Sequence, residues 1–136
     1  MSELSFAVGE VLPEVQLGPI SRATLALYAG ASGDHNPVHI DSDFAKNAGL
    51  PDVFAHGMLS FGVLSQAVTR WAGVGRLREF GARFVSVTQV HDLITCRATI
   101  LERFEADGEA RLRLAVVATA QDGRETLNGD AVVALD

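Results

Sequence analysis

The sequence has 136 residues, of which 48% are hydrophobic and 21% charged, and its formal net charge is -6. A chain of this length is typical of one domain with its own core, and so high an apolar fraction argues against a disordered protein. The acidic balance argues against nucleic acids and anionic membranes as partners, because both need a basic surface. We therefore expect a single domain over residues 1–136.

Two further features predict a cytoplasmic protein without disulfides. No run of about 18 uncharged apolar residues is present, so no membrane span is expected. The first residues, Met-Ser-Glu-Leu-Ser-Phe, lack the basic and then apolar pattern of an export signal. Cys96 is the only cysteine, which excludes an intrachain disulfide and a cysteine-based zinc site. We expect this thiol to be a small buried hydrophobe.

Capping residues and apolar periodicity predict three helices in the first half of the chain. The predicted helices run over about residues 22–31, 43–48 and 57–72. Ser21 is the expected N-cap of the first, and Asp41 or Ser42 that of the second. Gly33 and Gly49 are placed to end these two helices. The third pattern leaves only a narrow polar stripe, which suggests a helix covered on most sides.

The hydrophobic period changes to two in the second half, which predicts a sheet. Four long strands are expected over Phe80–Val90, Leu93–Phe104, Ala110–Gln121 and Glu125–Leu135. Asp-Gly pairs at 107–108 and 122–123 predict turns, so the last three strands should form an antiparallel meander with one buried and one partly wet face. A long helix and a large antiparallel sheet predict an α+β domain whose sheet wraps the helix.

The densest cluster of polar residues lies between the first two helices, at residues 32–41. Asp34 and His39 are five residues apart around Pro37, and a bent loop can aim a carboxylate and an imidazole at one water molecule. Acid/base chemistry is one interpretation, and a solvated loop that caps its own backbone is another. A metal site would use Asp34, His35, His39 and Asp41, although their spacing matches no known metal motif.

A second candidate is Ala55-His56-Gly57-Met58-Leu59, at the start of the third predicted helix. A helix N-terminus offers free backbone N–H groups and partial positive charge, and glycine lets a ligand oxygen approach closely. Such a group of donors can form an oxyanion hole. Alternatively, Gly57 only permits a tight entry into the helix. We expect His56 to be a structural histidine rather than a catalytic one.

Together the two segments resemble the hydratase signature of the MaoC-like family, which includes (R)-specific enoyl-CoA hydratases and (3R)-hydroxyacyl-ACP dehydratase subunits. The resemblance covers about residues 28–60, with looser agreement over most of the chain. Its specific elements are the Asp-x-Asn-Pro-x-His core at residues 34–39 and the His-Gly-Met-Leu element at residues 56–59, which occur together at the expected separation.

This resemblance implies a single hotdog fold with active sites near a dimer interface. The implied enzyme is a lyase that uses no cofactor or metal. It would add water reversibly and syn across a trans-2-enoyl thioester of CoA or acyl carrier protein, giving a (3R)-3-hydroxyacyl thioester in fatty-acid or related acyl metabolism. Asp34 and His39 would hold the water and move its protons, and the Gly57 amide would polarise the thioester carbonyl. Asn36 and Ser65 are the expected substrate-binding residues.

Two alternative functions stay open at this point, namely a hotdog acyl-thioesterase and a subunit of a heterodimeric hydroxyacyl-ACP dehydratase. We expect a dimer, with a homodimer ahead of a heterodimer with a related hotdog chain, because one curved sheet leaves an edge and an open face. Because the implied substrate is anionic, a local arginine patch is also expected. Its candidates are Arg76, Arg78 and Arg103.

Overall fold

The computed structural model describes residues 4–136, which form one five-stranded antiparallel sheet with three α-helices. The helices are α1 (Arg22–Ser32), α2 (Ser42–Asn47) and α3 (Gly57–Ala72). The strands are β1 (Val15–Leu17), β2 (Leu77–Phe84), β3 (Ile94–Ala106), β4 (Glu109–Thr119) and β5 (Glu125–Ala134). They lie in the order β1-β3-β4-β5-β2, so β1 and β2 are the edges of the sheet.

The three predicted helices are confirmed to within one residue at each end, and side-chain caps explain where α1 and α2 begin. The Ser21 hydroxyl accepts the Thr24 N–H at 3.0 Å, and Gly33 ends α1 in the left-handed conformation. The Asp41 carboxylate accepts the N–H groups of the first residues of α2. Both side chains satisfy donors that the first turn of a helix leaves free.

The predicted meander of β3, β4 and β5 is confirmed, and β3 alternates buried and partly exposed residues from Ile94 to Ile100. The first predicted strand is wrong in its bounds, because β2 runs over Leu77–Phe84 and residues 85–90 leave the sheet. These residues are drawn into a loop by Asp92, whose carboxylate accepts the Gln89 N–H at 2.8 Å. Strand β1, with three residues, is too short for a period-two pattern to predict.

The main core lies between α3 and the sheet, and α3 contacts all five strands. Cys96 is fully buried in this core, and burial raises the pKa of its thiol to about 11. Its expected role as a small buried hydrophobe is confirmed. Helix α3 is covered on its sheet side, but Gly57 and Met58 in its first turn are exposed. The expected cover on most sides is therefore incomplete in a single chain.

A smaller core supports the loops around α1 and α2. Six buried residues form it: Ile20, Leu25, Ala45, Val53, Ala55 and Val90. At its rim the Asp52 carboxylate accepts hydrogen bonds from Arg22 and Ser42, and the Arg22 guanidinium holds the pKa of Asp52 well below its usual range. These contacts fix the two loops that flank α2. None of the helices in residues 4–136 is long and apolar enough to span a bilayer.

Candidate active site

A cavity of about 950 Å³ opens between the first turn of α3, the loop after α1 and the chain that follows β2. Its polar end carries Asp34, Asn36 and His39. Its apolar side is lined by Val38, Phe54, Met58, Phe84, Val85, Val87 and Leu127. The cavity therefore places titratable groups beside a wall suited to an apolar ligand.

Asp34 and His39 meet at the polar end, as the sequence predicts. The Asp34 Oδ2 lies 3.9 Å from the His39 Nε2, beyond hydrogen-bond distance, so a water molecule can hydrogen bond to both at once. Asp34 is half-exposed and His39 is buried. The loop also caps its own backbone, because the Asp34 Oδ1 accepts the Asn36 N–H at 3.2 Å. The self-capping interpretation of this loop is therefore confirmed, and acid/base chemistry at Asp34 and His39 stays a prediction.

The protonation of neutral His39 is fixed by a backbone oxygen. Its Nδ1 lies 2.7 Å from the carbonyl oxygen of Phe54, which can only accept a hydrogen bond. Nδ1 therefore carries the proton, and the lone pair is on Nε2, the atom that faces Asp34. This is the tautomer that a general base needs at this position.

Gly57 is the first residue of α3 and lines the same cavity. Its N–H has no intrahelical acceptor, and the N-cap residue, His56, makes no side-chain capping bond. A Cβ at Gly57 would lie 2.6 Å from Cε1 of Phe84, so the Phe84 ring occupies the space beside this glycine. The amide is thus available to a ligand oxygen.

The two predicted substrate-binding residues lie in different places. Asn36 lines the cavity, and its Oδ1 accepts the Val38 N–H at 3.1 Å, which shapes the turn that carries His39. Ser65 does not line the cavity; its hydroxyl donates to the Gly62 carbonyl oxygen at 2.6 Å. Ser60, one turn closer to the start of α3, lines it instead. Substrate binding by Asn36 and Ser65 stays a prediction.

His56 contacts both Asp34 and His39, which the sequence does not indicate. It is 2% exposed, its Nε2 lies 3.1 Å from the Asp34 carbonyl oxygen, and its ring stacks on that of His39 with centroids 4.0 Å apart. The edge of the Tyr28 ring lies against it. The only signal in the sequence is the position of His56 beside Gly57, which says nothing about these contacts.

The four residues of the predicted metal site do not lie together. The Asp41 carboxylate caps α2, and His35 does not line the cavity. Among residues 4–136, Asp34, His39 and His56 are the one group of histidines and carboxylates close enough to share an ion, with one candidate atom each within 4.8 Å of the others. Both histidines use one ring nitrogen on a backbone carbonyl, which leaves one nitrogen each for a ligand or a proton.

The expected arginine patch is not found in the cavity. None of the described residues that line it is an arginine or a lysine. Arg76 is buried and donates to the Ala72 carbonyl oxygen, Arg78 pairs with Glu109, and Arg103 lies 3.7 Å from Glu105. All three guanidinium groups therefore have contacts in their own chain.

Comparison with known proteins finds relatives among fungal fatty acid synthase subunits and bacterial hydratases. The fatty acid synthase subunit beta of Aspergillus oryzae is 40% identical over 113 residues, which are 79% of this chain and 5% of the fungal subunit. The (R)-specific enoyl-CoA hydratase of Rhodospirillum rubrum is 34% identical over 83 residues, 60% of this chain and 58% of the hydratase. The chain thus corresponds to a small part of the first protein and to just over half of the second.

Solved structures confirm the hotdog fold. The unliganded R-hydratase PhaJ1 from Pseudomonas aeruginosa is 29% identical, with a TM-score of 0.82 over 94% of this chain and 81% of its own. A chain of the ChsH1-ChsH2 complex from Mycobacterium tuberculosis is 25% identical, with a TM-score of 0.80. The match covers 97% of this protein and 100% of that chain. A model of the MaoC like domain matches residues 5–122. With the Asp34 loop and the Gly57 helix start inside that match, this protein belongs to the MaoC-like domain family.

Proposed function

We propose that this chain is a hydro-lyase that adds water across trans-2-enoyl thioesters of CoA or acyl carrier protein and catalyses the reverse dehydration of (3R)-3-hydroxyacyl thioesters. The carrying observation is the 3.9 Å separation of the Asp34 Oδ2 and the His39 Nε2 beside the free end of α3. The hydratases among the relatives and solved structures support the same reaction.

In the proposed hydration, one water molecule lies between Asp34 and His39. The lone pair of the His39 Nε2 or the Asp34 carboxylate accepts a proton as the water oxygen bonds to C3 of the substrate. The pair then returns a proton to C2 from the same side. The product carries the OH on C3 and the H on C2, so the atoms of one water are accounted for and the addition is syn.

The remaining parts of the cavity fit the remaining parts of this substrate. As oxygen attacks C3, negative charge moves to the thioester oxygen, where the Gly57 N–H can stabilise it more in the transition state than in the ground state. The apolar wall suits the acyl chain, and Met58, Phe84, Val85 and Val87 are all more than 45% exposed at the mouth. No group on this route requires a cofactor.

The direct test is the loss of the conjugated thioester absorbance when the protein is mixed with a short trans-2-enoyl-CoA. We expect turnover, and we expect the kcat of Asp34→Asn and of His39→Gln to fall by about 100-fold or more, the usual effect of losing an acid/base group. Asp43→Asn and His35→Gln are matched controls, because both residues are exposed and neither lines the cavity. Dialysis against a chelator should leave the rate unchanged.

Several outcomes would contradict this proposal. Absence of turnover on both CoA and carrier-protein thioesters would exclude the reaction, and an unchanged rate in Asp34→Asn would exclude the mechanism. Release of free thiol from acyl-CoA without hydration would assign the site to a thioesterase. Loss of activity on chelation would show that Asp34, His39 and His56 hold a metal.

We also propose that two chains form a dimer, in the first place a homodimer. Strand β2 is an edge of the sheet with eight residues, and it ends at the exposed Phe84, which the exposed Val85 and Val87 follow at the cavity mouth. An open edge beside exposed apolar side chains favours cover by another chain. The likeness to a chain of the ChsH1-ChsH2 complex supports a heterodimer as the alternative.

Sedimentation at micromolar concentration tests the dimer. We expect the unmodified chain to sediment as a dimer and Val85→Asp to sediment as a monomer, because a carboxylate in an apolar interface is costly. Leu27→Asp is the control, since Leu27 is 77% exposed on α1 and does not line the cavity. A monomeric unmodified chain would contradict the homodimer. Activity that appears only with a second, related chain would assign this protein to a heterodimer.

A further inference from the structure

We infer that His56 is a positioning residue of the proposed hydratase, which as a neutral imidazole with its proton on Nε2 fixes both the main chain at Asp34 and the ring of His39. This inference rests on the proposed function for its effect on catalysis. The contacts that carry it belong to the chain itself and can be measured without a substrate.

The first contact fixes the tautomer. The His56 Nε2 lies 3.1 Å from the main-chain carbonyl oxygen of Asp34, and this oxygen can only accept. Nε2 is therefore the donor, and in the neutral ring the lone pair is on Nδ1. The hydrogen bond ties the first residue of the proposed acid/base pair to the N-cap of α3, 22 residues further along the chain.

The second contact fixes the ring of His39. The two imidazoles are stacked with centroids 4.0 Å apart and an angle of 27° between their planes. His39 is held on its edge by the Phe54 carbonyl oxygen and on its face by His56. A hydrogen bond and a stacked ring together restrict both the tilt and the rotation of the side chain whose Nε2 faces Asp34.

A role in packing alone does not explain this histidine. His56 is 2% exposed, and its Nδ1 is buried without a hydrogen-bond partner in residues 4–136. An unpaired buried polar atom lowers stability, so an apolar ring of the same size would pack at lower cost. Burial also lowers the pKa of His56, which keeps the ring neutral beside His39. The polar atom that is used, Nε2, is the one that holds Asp34.

The hydrogen bond from the His56 Nε2 to the Asp34 carbonyl oxygen can be tested on the unmodified protein by nitrogen NMR of labelled histidine. The four histidines are assigned by single substitutions to Gln, and at pH 7.5 we expect His56 to be the Nε2–H tautomer and His39 the Nδ1–H tautomer. His35 and His91 are both exposed and serve as reference signals from histidines outside the cavity. An Nδ1–H or doubly protonated His56 at this pH would overturn the inference.

Two substitutions separate the donor from the ring. His56→Phe keeps the ring and removes the donor, whereas His56→Gln keeps an N–H donor and removes the ring. We expect kcat to fall by about 10- to 100-fold in His56→Phe with KM within about twofold, the size of effect seen when a supporting hydrogen bond is lost. His56→Gln should retain more activity, and His35→Gln should equal the unmodified protein.

The outcomes distinguish this inference from the proposed function. An unchanged kcat in folded His56→Phe would reduce His56 to a packing residue. If His56→Phe does not fold, the tautomers of the unmodified protein decide the question. If the unmodified protein has no hydratase activity, the proposed function fails, and the Nε2–H tautomer together with a shifted Asp34 carbonyl carbon signal in His56→Phe still supports positioning.

Discussion

Gly57 lies between the cavity and the ring of Phe84. On one side lies the cavity, into which a ligand oxygen would approach its amide. On the other side lies the Phe84 ring. A Cβ added at Gly57 would be only 2.6 Å from Cε1 and 2.9 Å from Cδ1 of this ring. Because the ring is exposed and can turn, a methyl group here would displace Phe84 rather than disrupt the core. We therefore predict that glycine at this position matters to the proposed site and not to the stability of the helix.

Replacing Gly57 with Ala should consequently separate activity from stability. We expect the free energy of unfolding to change by less than about 1 kcal/mol, because alanine favours the helical backbone. The hydration rate should fall at least about tenfold, because Phe84 is pushed into the cavity beside the proposed oxyanion donor. Urea unfolding and the absorbance assay measure the two effects.

Gly62→Ala is the matched control on the same helix, since nothing lies within 4 Å of a Cβ at Gly62. It should keep full activity and gain slightly in stability. Equal activities of the two alanine variants would show that the space beside Gly57 is not used by the substrate.

The sequence predicts part of this site well. Asp34, Asn36, His39 and Gly57 line one cavity, because a short loop and a helix start are local features with local signals. The contacts of His56 could not be predicted, because the oxygen that it binds is 22 residues away along the chain. Whether a serine of α3 faces the cavity depends on the rotation of the helix, and there Ser60, not Ser65, lines it.

At the scale of elements, a buried carboxylate is one of the groups that hold the loop from residue 85 to 93. Asp92 is 5% exposed and accepts hydrogen bonds from Gln121 at 3.0 Å and from Arg124 at 2.6 Å. It also accepts the Gln89 N–H. The loop supplies Val87 and Thr88 to the cavity wall. The position of this wall therefore depends on Asp92, although Asp92 does not itself line the cavity.

Asp92→Ala should therefore destabilise the chain. Removing one partner of a fully buried ion pair costs about 3–5 kcal/mol, and because Arg124 is 35% exposed we expect about 2 kcal/mol. Urea unfolding measures this value. Asp122→Ala is the control, because Asp122 binds the same arginine but is 55% exposed, and it should cost less than about 1 kcal/mol. Similar losses in both variants would contradict the role given to Asp92.

The error in the first predicted strand has the same origin. Val85 and Val87 alternate with the polar Ser86 and Thr88, so this local period of two extends the predicted strand beyond Phe84. Three side-chain hydrogen bonds to Asp92 outweigh that local preference. The helices and the meander were predictable because their caps and Asp-Gly turns lie within a few residues of the elements that they end.

At the scale of the whole molecule, His56 makes folding sensitive to pH. Burial lowers its pKa in the folded chain, while the unfolded chain has the ordinary value near 6.5. The unfolded state therefore binds more protons below about pH 6.5, and stability falls as the pH decreases through that value. The ionisable side chains that face His56 are Asp34, His39 and Tyr28. Carboxylates with a lowered pKa, such as Glu109, affect the stability of the fold only below about pH 4.5.

Thermal unfolding between pH 7.5 and 5.5 tests this dependence. The unmodified protein should lose stability over that interval, and His56→Gln should lose less, because it lacks the group that must be protonated on unfolding. His35→Gln should follow the unmodified protein, since His35 is exposed. A curve for His56→Gln parallel to that of the unmodified protein would assign the pH dependence to other groups.

The cavity is built from separate stretches of chain, and this has a consequence for redesign. The proposed proton-transfer groups come from residues 34–39, whereas Phe84, Val85 and Val87 come from the end of β2 and the loop behind it. A library confined to residues 86–88 would vary the shape of this wall while the histidines and the carboxylate keep their sequence. For the proposed hydratase, this arrangement separates the residues that would select the acyl chain from those that would transfer protons.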